Sequence, residues 1–239
     1  MNGLGLKTKI PPTLLHIEQL QKSYFQSIEA NDLEAVNDFI IKNVSTNKIP
    51  LDARNESGET PLTVSARLGR IQLVDFLIRC GSDVDAKDLV LFFLSQNTVF
   101  GRNHFQELWS PLLNAAKEGF LEIVQLLVNA EADIEQPDVG GWTPLYWACY
   151  KNRLSVVKFL IQSGAEVNIS DEYGMAPILW VSGRGYAETL KELVDAGART
   201  DCRDRFGNNP LFWACKKGSF DEVNTLLCAG SPIDVVGVF

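Results

Sequence analysis

Segments of small residues alternate along the chain with longer apolar segments, and this alternation returns at regular intervals. The small pairs are Ser65-Ala66, Ala115-Ala116, Ala148-Cys149 and Ala214-Cys215. An apolar segment follows each of them, for example Val156-Val157 and then Phe159-Leu160-Ile161. The pattern predicts helix pairs, with an inner helix that packs closely on its neighbours and an outer helix that supplies apolar surface. Because one pair cannot bury that surface alone, we expect the pairs to stack.

A proline begins each of these units and sets their length. The prolines are Pro61, Pro111, Pro144, Pro177 and Pro210, at spacings of 50, 33, 33 and 33 residues. The first spacing is one 33-residue unit with 17 further residues inserted. A preceding threonine, as in Thr60 and Thr143, is a favourable N-cap, and proline is tolerated in the first helical turn.

Glycines recur in phase with the prolines. They stand three residues before the proline at Gly58, Gly141, Gly174 and Gly207, and twenty after it at Gly81, Gly164, Gly197 and Gly230. The first set suits a tight turn and the second suits a helix end. In the unit that begins at Pro111, Glu131 occupies the second position and predicts a weaker helix stop.

A 33-residue period with a Thr-Pro-Leu core resembles the ankyrin repeat. The resemblance implies an all-α repeat solenoid of about six stacked units, each a helix-turn-helix with a β-hairpin finger. We expect a degenerate first unit from about Ser23, so that residues 1–22 form an N-terminal extension with a capping helix and residues 23–239 form the ankyrin repeat domain. The next proline would fall beyond Phe239. This predicts an incomplete C-terminal end, either of a longer array or of an incomplete gene product.

The inserted residues form an atypical apolar segment at about 89–106. Lengthening a loop by this amount costs only about 1.5 kcal/mol of closure entropy, so the stack can tolerate it. Two interpretations stay open: a hairpin that docks a partner, or an unspliced intron or gene-model error, of which we favour the second.

Composition restricts the class of function. The 239 residues carry a formal net charge of −8, which argues against a nucleic-acid binder unless the charge is segregated. There are two histidines, His16 and His104, and five cysteines without CxxC spacing, so we predict no enzyme, no metal site, no cofactor and reduced thiols. No segment has the roughly 18 apolar residues of a membrane span, and the N-terminus does not resemble a signal peptide.

The five tryptophans occupy two positions of the unit. Trp147, Trp180 and Trp213 stand three residues after the proline, and Trp109 and Trp142 stand two before it. In an ankyrin stack these positions face the concave side, where we expect further contributions from Tyr146, Tyr150, Tyr173, Met175, Phe206 and Phe212. Aromatic side chains dominate binding hot spots, so we predict a partner-binding groove. Packing between inner helices is the alternative for Trp147, Trp180 and Trp213, whereas Trp142, Tyr173 and Phe206 are expected at finger tips.

Basic residues recur six and seven positions after the proline. They are Arg67, Lys117, Lys151, Arg184, Lys216 and Lys217. One interpretation is that these charges complement the C-terminal end of the helix dipole, worth ~0.3–1 kcal/mol each. The other is a basic and aromatic groove for acidic or phosphorylated protein segments.

The histidine that usually follows Thr-Pro-Leu in ankyrin repeats is absent throughout. Its position holds Thr63, Leu113, Tyr146, Leu179 and Phe212. We therefore expect the hydrogen bond from this histidine to the finger to be lost and the fingers to be more mobile.

A narrower resemblance covers the last three units. The segments 140–151, 177–185 and 210–218, with tryptophan three residues after the proline, resemble the N-terminal repeats of the kinase D-interacting, ankyrin-rich membrane-spanning scaffold family. This implies a non-catalytic module of a signalling scaffold downstream of neurotrophin-type receptors, binding kinase-pathway or receptor partners. It also implies a location on the cytoplasmic side, with membrane tethering in a full-length protein. A free-standing ankyrin inhibitor of a kinase or other enzyme is the alternative.

Overall fold

The computed structural model describes residues 12–88, 108–171 and 173–233, which form twelve α-helices in six pairs. The first pair is α1 (Pro12–Glu29) and α2 (Leu33–Phe39), and α2 continues into a turn of π-helix at Ile40–Val44. The other pairs are α3 (Pro61–Arg67) and α4 (Ile71–Arg79), α5 (Pro111–Glu118) and α6 (Leu121–Asn129), α7 (Pro144–Tyr150) and α8 (Leu154–Gln162), α9 (Pro177–Ser182) and α10 (Ala187–Asp195), and α11 (Pro210–Lys217) and α12 (Phe220–Cys228). We call these pairs units one to six.

The helices stack as two columns. The inner column runs α1, α3, α5, α7, α9, α11, and the outer column runs from α4 to α12 through the even-numbered helices. Each inner helix also packs on the outer helix of its own unit. The predicted all-helical repeat solenoid of about six units is confirmed.

Apolar outer-helix residues and small inner-helix residues form one continuous core. In unit four, Val156, Val157 and Leu160 of α8 are fully buried, as are Ala148 and Cys149 of α7. Full burial of one such valine or leucine contributes about 1.5–3 kcal/mol, whereas the small inner residues allow neighbouring helices to approach. Stacking therefore supplies the burial that one unit lacks.

Capping side chains fix the start of four inner helices. Thr60, Ser110, Thr143 and Asn209 are each the N-cap, and their side chains accept a hydrogen bond from the backbone amide three residues on. The unit proline occupies the first turn, where no amide hydrogen is needed. Ala176 provides no such bond to α9.

The end of α6 carries local strain. Glu131 has a φ of 64°, in the left-handed region that glycine occupies at the matching position of the other units, where Gly164 has a φ of 93°. A non-glycine residue pays roughly 1–2 kcal/mol for this conformation. The weaker helix stop predicted at Glu131 is thus visible in its backbone.

Replacing Glu131 by Gly is expected to stabilise the fold by about 1 kcal/mol, because it relieves this strain at an exposed position. The reciprocal change Gly164→Glu should cost a similar amount, since a Cβ there meets no atom within 4 Å and only the φ is unfavourable. Urea unfolding followed by circular dichroism measures both. Equal midpoints for Glu131→Gly and the wild type would contradict the account.

The fingers differ from the predicted β-hairpins. Within the described ranges no strand is formed, and the fingers of units two, four, five and six are closed as tight turns. In unit four the Asp138 amide donates to the Trp142 carbonyl (3.1 Å) and the Gly141 amide to the Asp138 carbonyl (3.1 Å), with Gly141 at a φ of 80°. The Asp138 carboxylate Oδ1 also accepts the amides of Gly140 and Trp142, both at 2.9 Å. A side chain that takes up these amides closes the turn without a strand ladder.

The stack keeps its register across the inserted segment. The Asp88 amide donates to the Trp109 carbonyl at 3.1 Å, the same bond that closes the finger between Asp138 and Trp142. Side-chain acceptors also join successive units to backbone amides 31 residues on, as Asp52 does to Asp83, and 48 residues on across the insertion, as Asp85 does to Asp133. The two spacings differ by the 17 inserted residues. The predicted insertion at 89–106 itself lies outside the described residues.

The helix α1 is continuous from Pro12 to Glu29 and so crosses the predicted start of the repeat domain near Ser23. The predicted incomplete finger at 234–239 lies outside the described residues. None of the helices described is both long and apolar enough to cross a membrane.

Candidate protein-binding face

Side chains from three positions of the unit meet on one surface, formed by the inner helices and the finger turns, which we call the inner face. Three residues after the proline stand Trp147, Trp180 and Trp213; two before it stand Trp109, Trp142 and Met175; six after it stand Lys117, Tyr150, Gly183 and Lys216. The five tryptophans, Tyr150 and Met175 are all partly buried. The structure therefore brings most of the predicted groove residues together.

Aspartates at the base of the fingers anchor the tryptophans. The indole Nε1 of Trp147 donates to Asp138 Oδ2 at 2.9 Å, and that of Trp213 donates to Asp204 Oδ2 at 3.1 Å. Each aspartate uses its other oxygen to hold its own finger turn. The histidine bond is absent in these units, as its missing residue implies, and the tryptophan indole joins the inner helix to the finger in its place.

Asp171 is the centre of a network that joins units four and five. Its Oδ2 accepts the indole of Trp142 at 3.1 Å and the hydroxyl of Tyr146 at 2.9 Å, and Tyr146 in turn accepts the indole of Trp180. Its Oδ1 accepts the amides of Tyr173 and Met175. Burial and the charge of Asp171 raise the pKa of Tyr146 far above its usual range, so the phenol keeps its proton and acts as a donor.

The aromatic rings form one connected cluster across units three to five. Ring centroids lie 4.9 Å apart for Trp109 and Trp147, 4.6 Å for Trp142 and Trp147, and 5.3 Å for Tyr150 and Trp180. Offset and edge-on pairs at such distances contribute about 0.5–1.5 kcal/mol each beyond their buried area. Part of this aromatic surface consequently stabilises the stack itself.

The finger-tip residues divide into two kinds. Trp142 is not a free tip: its ring contacts four other rings and its indole is bonded to Asp171. A large ring loses less by packing on Tyr146 and Tyr150 than by remaining in water, so Trp142 lies against these rings instead of projecting from its finger. Tyr173 and Phe206 are exposed, at 62% and 53% of their surface.

Cations lie over the rings of the inner face. Lys117 Nζ is 4.3 Å from the Trp109 centroid, the Arg184 guanidinium carbon is 4.2 Å from Tyr150, and Lys216 Nζ is 4.9 Å from Trp213. Such contacts are worth about 0.5–1 kcal/mol at exposed sites. They place the predicted basic residues beside the predicted aromatic ones.

The cations that stand six and seven residues after the unit prolines, which we call the basic row, differ in ion pairing and in exposure. Arg67 forms a two-pronged ion pair with Glu59, at 2.7 and 3.2 Å, so its charge is neutralised within unit two. Burial lowers the pKa of Lys117, which also lies 3.7 Å from Glu118. Lys151, Lys216 and Lys217 are exposed. The exposed lysines of this row therefore lie in units four and six.

Two further groups, Asp88 and Cys149, have pKa values that are raised chiefly by burial. Burial, with a contribution from the Glu59 charge, raises the pKa of Asp88 to about 7, and burial raises the pKa of the Cys149 thiol. A thiol with a raised pKa is a poor nucleophile. Among the described residues no cluster of His, Cys, Asp or Glu is suited to hold a metal ion.

Two cavities are of interest. The larger, about 740 Å³, lies between α1 and the finger of unit two, and all of its lining except Phe25 is polar or charged. The smaller, about 320 Å³, opens on the inner face and is lined by Met175, Leu179, Trp180, Gly183, Arg184 and Trp213. Four of the lining residues of the smaller cavity are predicted site residues, whereas the larger cavity contains none.

Two features of the face were missed from the sequence. One is the row of anchoring aspartates, although Asp138, Asp171 and Asp204 each stand six residues before a unit proline and so carry a periodic signal. The other is Arg205, which lies 4.7 Å from the Phe206 centroid and 5.9 Å from that of Tyr173.

Comparisons with known proteins agree with the geometry. A family model described as ankyrin repeats (3 copies) matches residues 87–171 and 163–236, and one described as ankyrin repeat matches residues 57–89. The crystal structure of an ankyrin repeat domain from Acinetobacter baumannii AYE is similar with a TM-score of 0.74 and 26% identity, over 89% of this chain and 100% of that one.

One curated relative is a much longer protein. Glycerophosphocholine phosphodiesterase GDE1 of Candida albicans is 28% identical over 144 residues, which are 58% of this chain and 11% of that enzyme. The chain thus spans about a tenth of the length of this relative.

Proposed function

The chain belongs to the ankyrin repeat family, and we propose that it is a non-catalytic protein-binding module whose inner face in units four to six holds its partners. Ankyrin repeats are typically interaction modules, and their stacked units present an extended binding surface. The module proposed here binds through aromatic side chains and positive charge.

The observation that carries this proposal is the coincidence of aromatic rings and cations on the inner face. In units four to six, partly exposed rings lie beside Arg184 and Lys216, and the finger turns of units five and six carry the exposed side chains of Tyr173 and Phe206. Aromatic and arginine side chains contribute disproportionately to binding because they bury much area at small entropic cost. The formal charge of the whole chain is −8, so the positive charge of this face is local.

The partner that suits this face is an acidic or phosphorylated protein segment. Carboxylates or phosphates are attracted to Arg184, Lys216 and Lys217, and they are repelled elsewhere by a chain of negative net charge. Charge complementarity of this kind sets orientation and association rate more than affinity. We therefore expect binding that weakens with salt.

The biological setting is a finer proposal. The motifs at 140–151, 177–185 and 210–218 favour a signalling scaffold with kinase-pathway or neurotrophin-type receptor partners, on the cytoplasmic side of a membrane. The family comparisons support ankyrin repeats and do not reach this narrower family. The scaffold role accordingly depends on the motifs alone.

Ligands for the test come from a random-sequence peptide library selected on the immobilised full chain. The double variant Lys216→Glu and Lys217→Glu is expected to lower the affinity for the selected peptides about tenfold at low salt. The loss of affinity should be smaller in 1 M salt, because charges more than about 3 Å apart are then screened from one another. Isothermal titration at both salt concentrations measures it.

The matched control is Lys48→Glu with Lys191→Glu, which changes the net charge equally at two exposed positions, Lys191 lying on the outer helix α10. It should leave the affinity within about twofold of the wild type. Equal losses of affinity in the two double variants, or an affinity that does not change with salt concentration, would contradict a basic inner face as the binding surface.

A further inference from the structure

The 320 Å³ pocket interrupts the aromatic surface between units five and six. Trp180 and Trp213 form two of its walls, Met175 and Leu179 contribute apolar surface, Gly183 offers only backbone, and Arg184 adds a positive charge. The ring that Trp213 does contact, Phe212, belongs to its own helix. The space beside Trp180 is thus open and largely apolar.

The preceding units show what fills the equivalent space. Between Trp147 and Trp180 the ring of Tyr150 stands edge-on to both, at 5.7 and 5.3 Å. Trp142 lies 5.1 Å from the same ring. The Arg184 guanidinium covers it at 4.2 Å. One slot of the stack therefore already holds an aromatic ring under a cation.

The 33-residue period explains why the next slot is open. Gly183 occupies the repeat position of Tyr150, and Met175 occupies that of Trp142. The walls are kept, since Trp180 and Trp213 stand where Trp147 and Trp180 stand one unit earlier. The pocket is consequently a slot with its aromatic walls present and its own ring missing.

The cation over the slot is also repeated. Lys217 lies at the repeat position of Arg184, and Lys216 lies 4.9 Å from the ring of Trp213, which lines the slot. A ring entering the slot would meet two indoles and would have ammonium groups beside it. Residues flanking that ring in a partner chain would face the same positive charge.

We propose that this slot receives a phenylalanine, tyrosine or tryptophan side chain from an acidic segment of a protein partner. The proposal rests on the function proposed above and specifies its main contact. Apolar and edge-on aromatic contacts supply the attraction within the slot, and flanking carboxylates meet Arg184, Lys216 and Lys217. Tyr150 is the internal example of the recognised group.

The variant Gly183→Tyr tests the proposal by placing the missing ring in the slot from within the chain. Gly183 has a φ of −79° and a ψ of −8°, which any residue adopts. A Cβ there would lie 3.6 Å from the nearest atoms, an ordinary contact distance. We expect a folded protein whose affinity for the selected peptides falls about tenfold.

Two controls separate filling of the slot from other effects. Gly183→Ala adds only a methyl group to the slot lining, so its loss of affinity should be clearly smaller than that of Gly183→Tyr. Gln162→Tyr adds the same side chain at an exposed position at the end of the outer helix α8 and should bind normally. Isothermal titration with circular dichroism as a fold check covers all three variants.

The peptides provide a second measurement that needs no variant of the protein. Selected sequences should contain one aromatic residue flanked by Asp or Glu, and its replacement by Ala should cost about tenfold with the wild type and little with Gly183→Tyr. The indole N–H resonances of Trp180 and Trp213 should shift on titration. Unshifted resonances would overturn the slot even if Gly183→Tyr failed to fold.

The outcomes distinguish the slot from the function on which it rests. The slot is overturned if the affinity is unchanged by replacing the peptide's aromatic residue and by Gly183→Tyr, yet falls on charge reversal at Lys216 and Lys217. The inner face then still stands as the binding surface. Affinity that ignores all of these changes overturns both.

Discussion

Replacing Asp171 by Ala is expected to destabilise the fold by about 3–5 kcal/mol, a large fraction of the stability of a domain of this kind. The carboxylate is 7% exposed and accepts bonds from two backbone amides, the Trp142 indole and the Tyr146 hydroxyl. Alanine leaves all four donors without this acceptor in a partly or fully buried setting. Each unpaired buried donor costs about 1–3 kcal/mol, reduced where water can enter.

Asp138→Ala is the matched control. Asp138 occupies the same repeat position, but it is half-buried and its bonds stay within unit four, to Gly140, Trp142 and Trp147. Asp138→Ala should destabilise the fold by at least about 1 kcal/mol less than Asp171→Ala, because the donors it leaves unpaired can reach water. Asp171 in contrast binds side chains 25 and 29 residues earlier and so couples two units.

Urea unfolding monitored by both circular dichroism and tryptophan fluorescence gives the measurement. In Asp171→Ala the two transitions should separate, since units four and five no longer unfold together. Asp171→Asn should lie between alanine and the wild type, because it keeps one oxygen for the backbone amides. A loss no greater than that of Asp138→Ala would contradict the central place of Asp171.

The repeat architecture is predictable because its signals are local. Pro61, Pro111, Pro144, Pro177 and Pro210 each stand at the start of an inner helix, as the 33-residue period predicts. A helix start requires only a cap and a tolerated proline, which neighbouring residues supply. The same holds for Glu131, whose left-handed backbone follows from its place twenty residues after Pro111.

The contacts of the inner face join residues of different units, so the 33-residue period does not predict them. Spacing puts Trp142 two residues before its proline, but its indole bonds to Asp171 in the next unit. Trp180 would by analogy bond to Asp171, yet Tyr146 lies between them. Which of several equivalent donors reaches one carboxylate depends on packing between units.

The basic row shows the same limit. The period predicts a cation at Arg67 as in later units, and one is present. Its neutralisation by Glu59 follows from a residue at the position that holds tryptophan in units three and four. The vacant slot beside Trp180 likewise exists only because Gly183 and Met175 replace Tyr150 and Trp142 one period later.

The double variant Tyr173→Ala with Phe206→Ala, which truncates both exposed finger-tip side chains, is expected to lower the affinity for the selected peptides about 100-fold. Truncating an aromatic hot-spot residue costs about 1–2 kcal/mol or more, and tenfold corresponds to about 1.4 kcal/mol. Both side chains are more than half exposed, at 62% and 53%, so the stability of the free protein should change by less than about 0.5 kcal/mol. Trp142 is excluded from this variant because its indole belongs to the Asp171 network.

The matched control is Phe220→Ala. Phe220 is 81% exposed at the start of the outer helix α12, so it offers the same kind of side chain on the other column of the stack. Its loss should leave the affinity unchanged within about twofold, because outer-helix residues lie away from the inner face.

The affinity of the selected peptides for these two variants, measured side by side by isothermal titration, tests most directly whether the inner face binds partners. We predict a loss of about 100-fold for Tyr173→Ala with Phe206→Ala and none for Phe220→Ala, with both proteins folded. Unchanged affinity in the first variant, or a comparable loss in the second, would contradict the inner face as the binding surface.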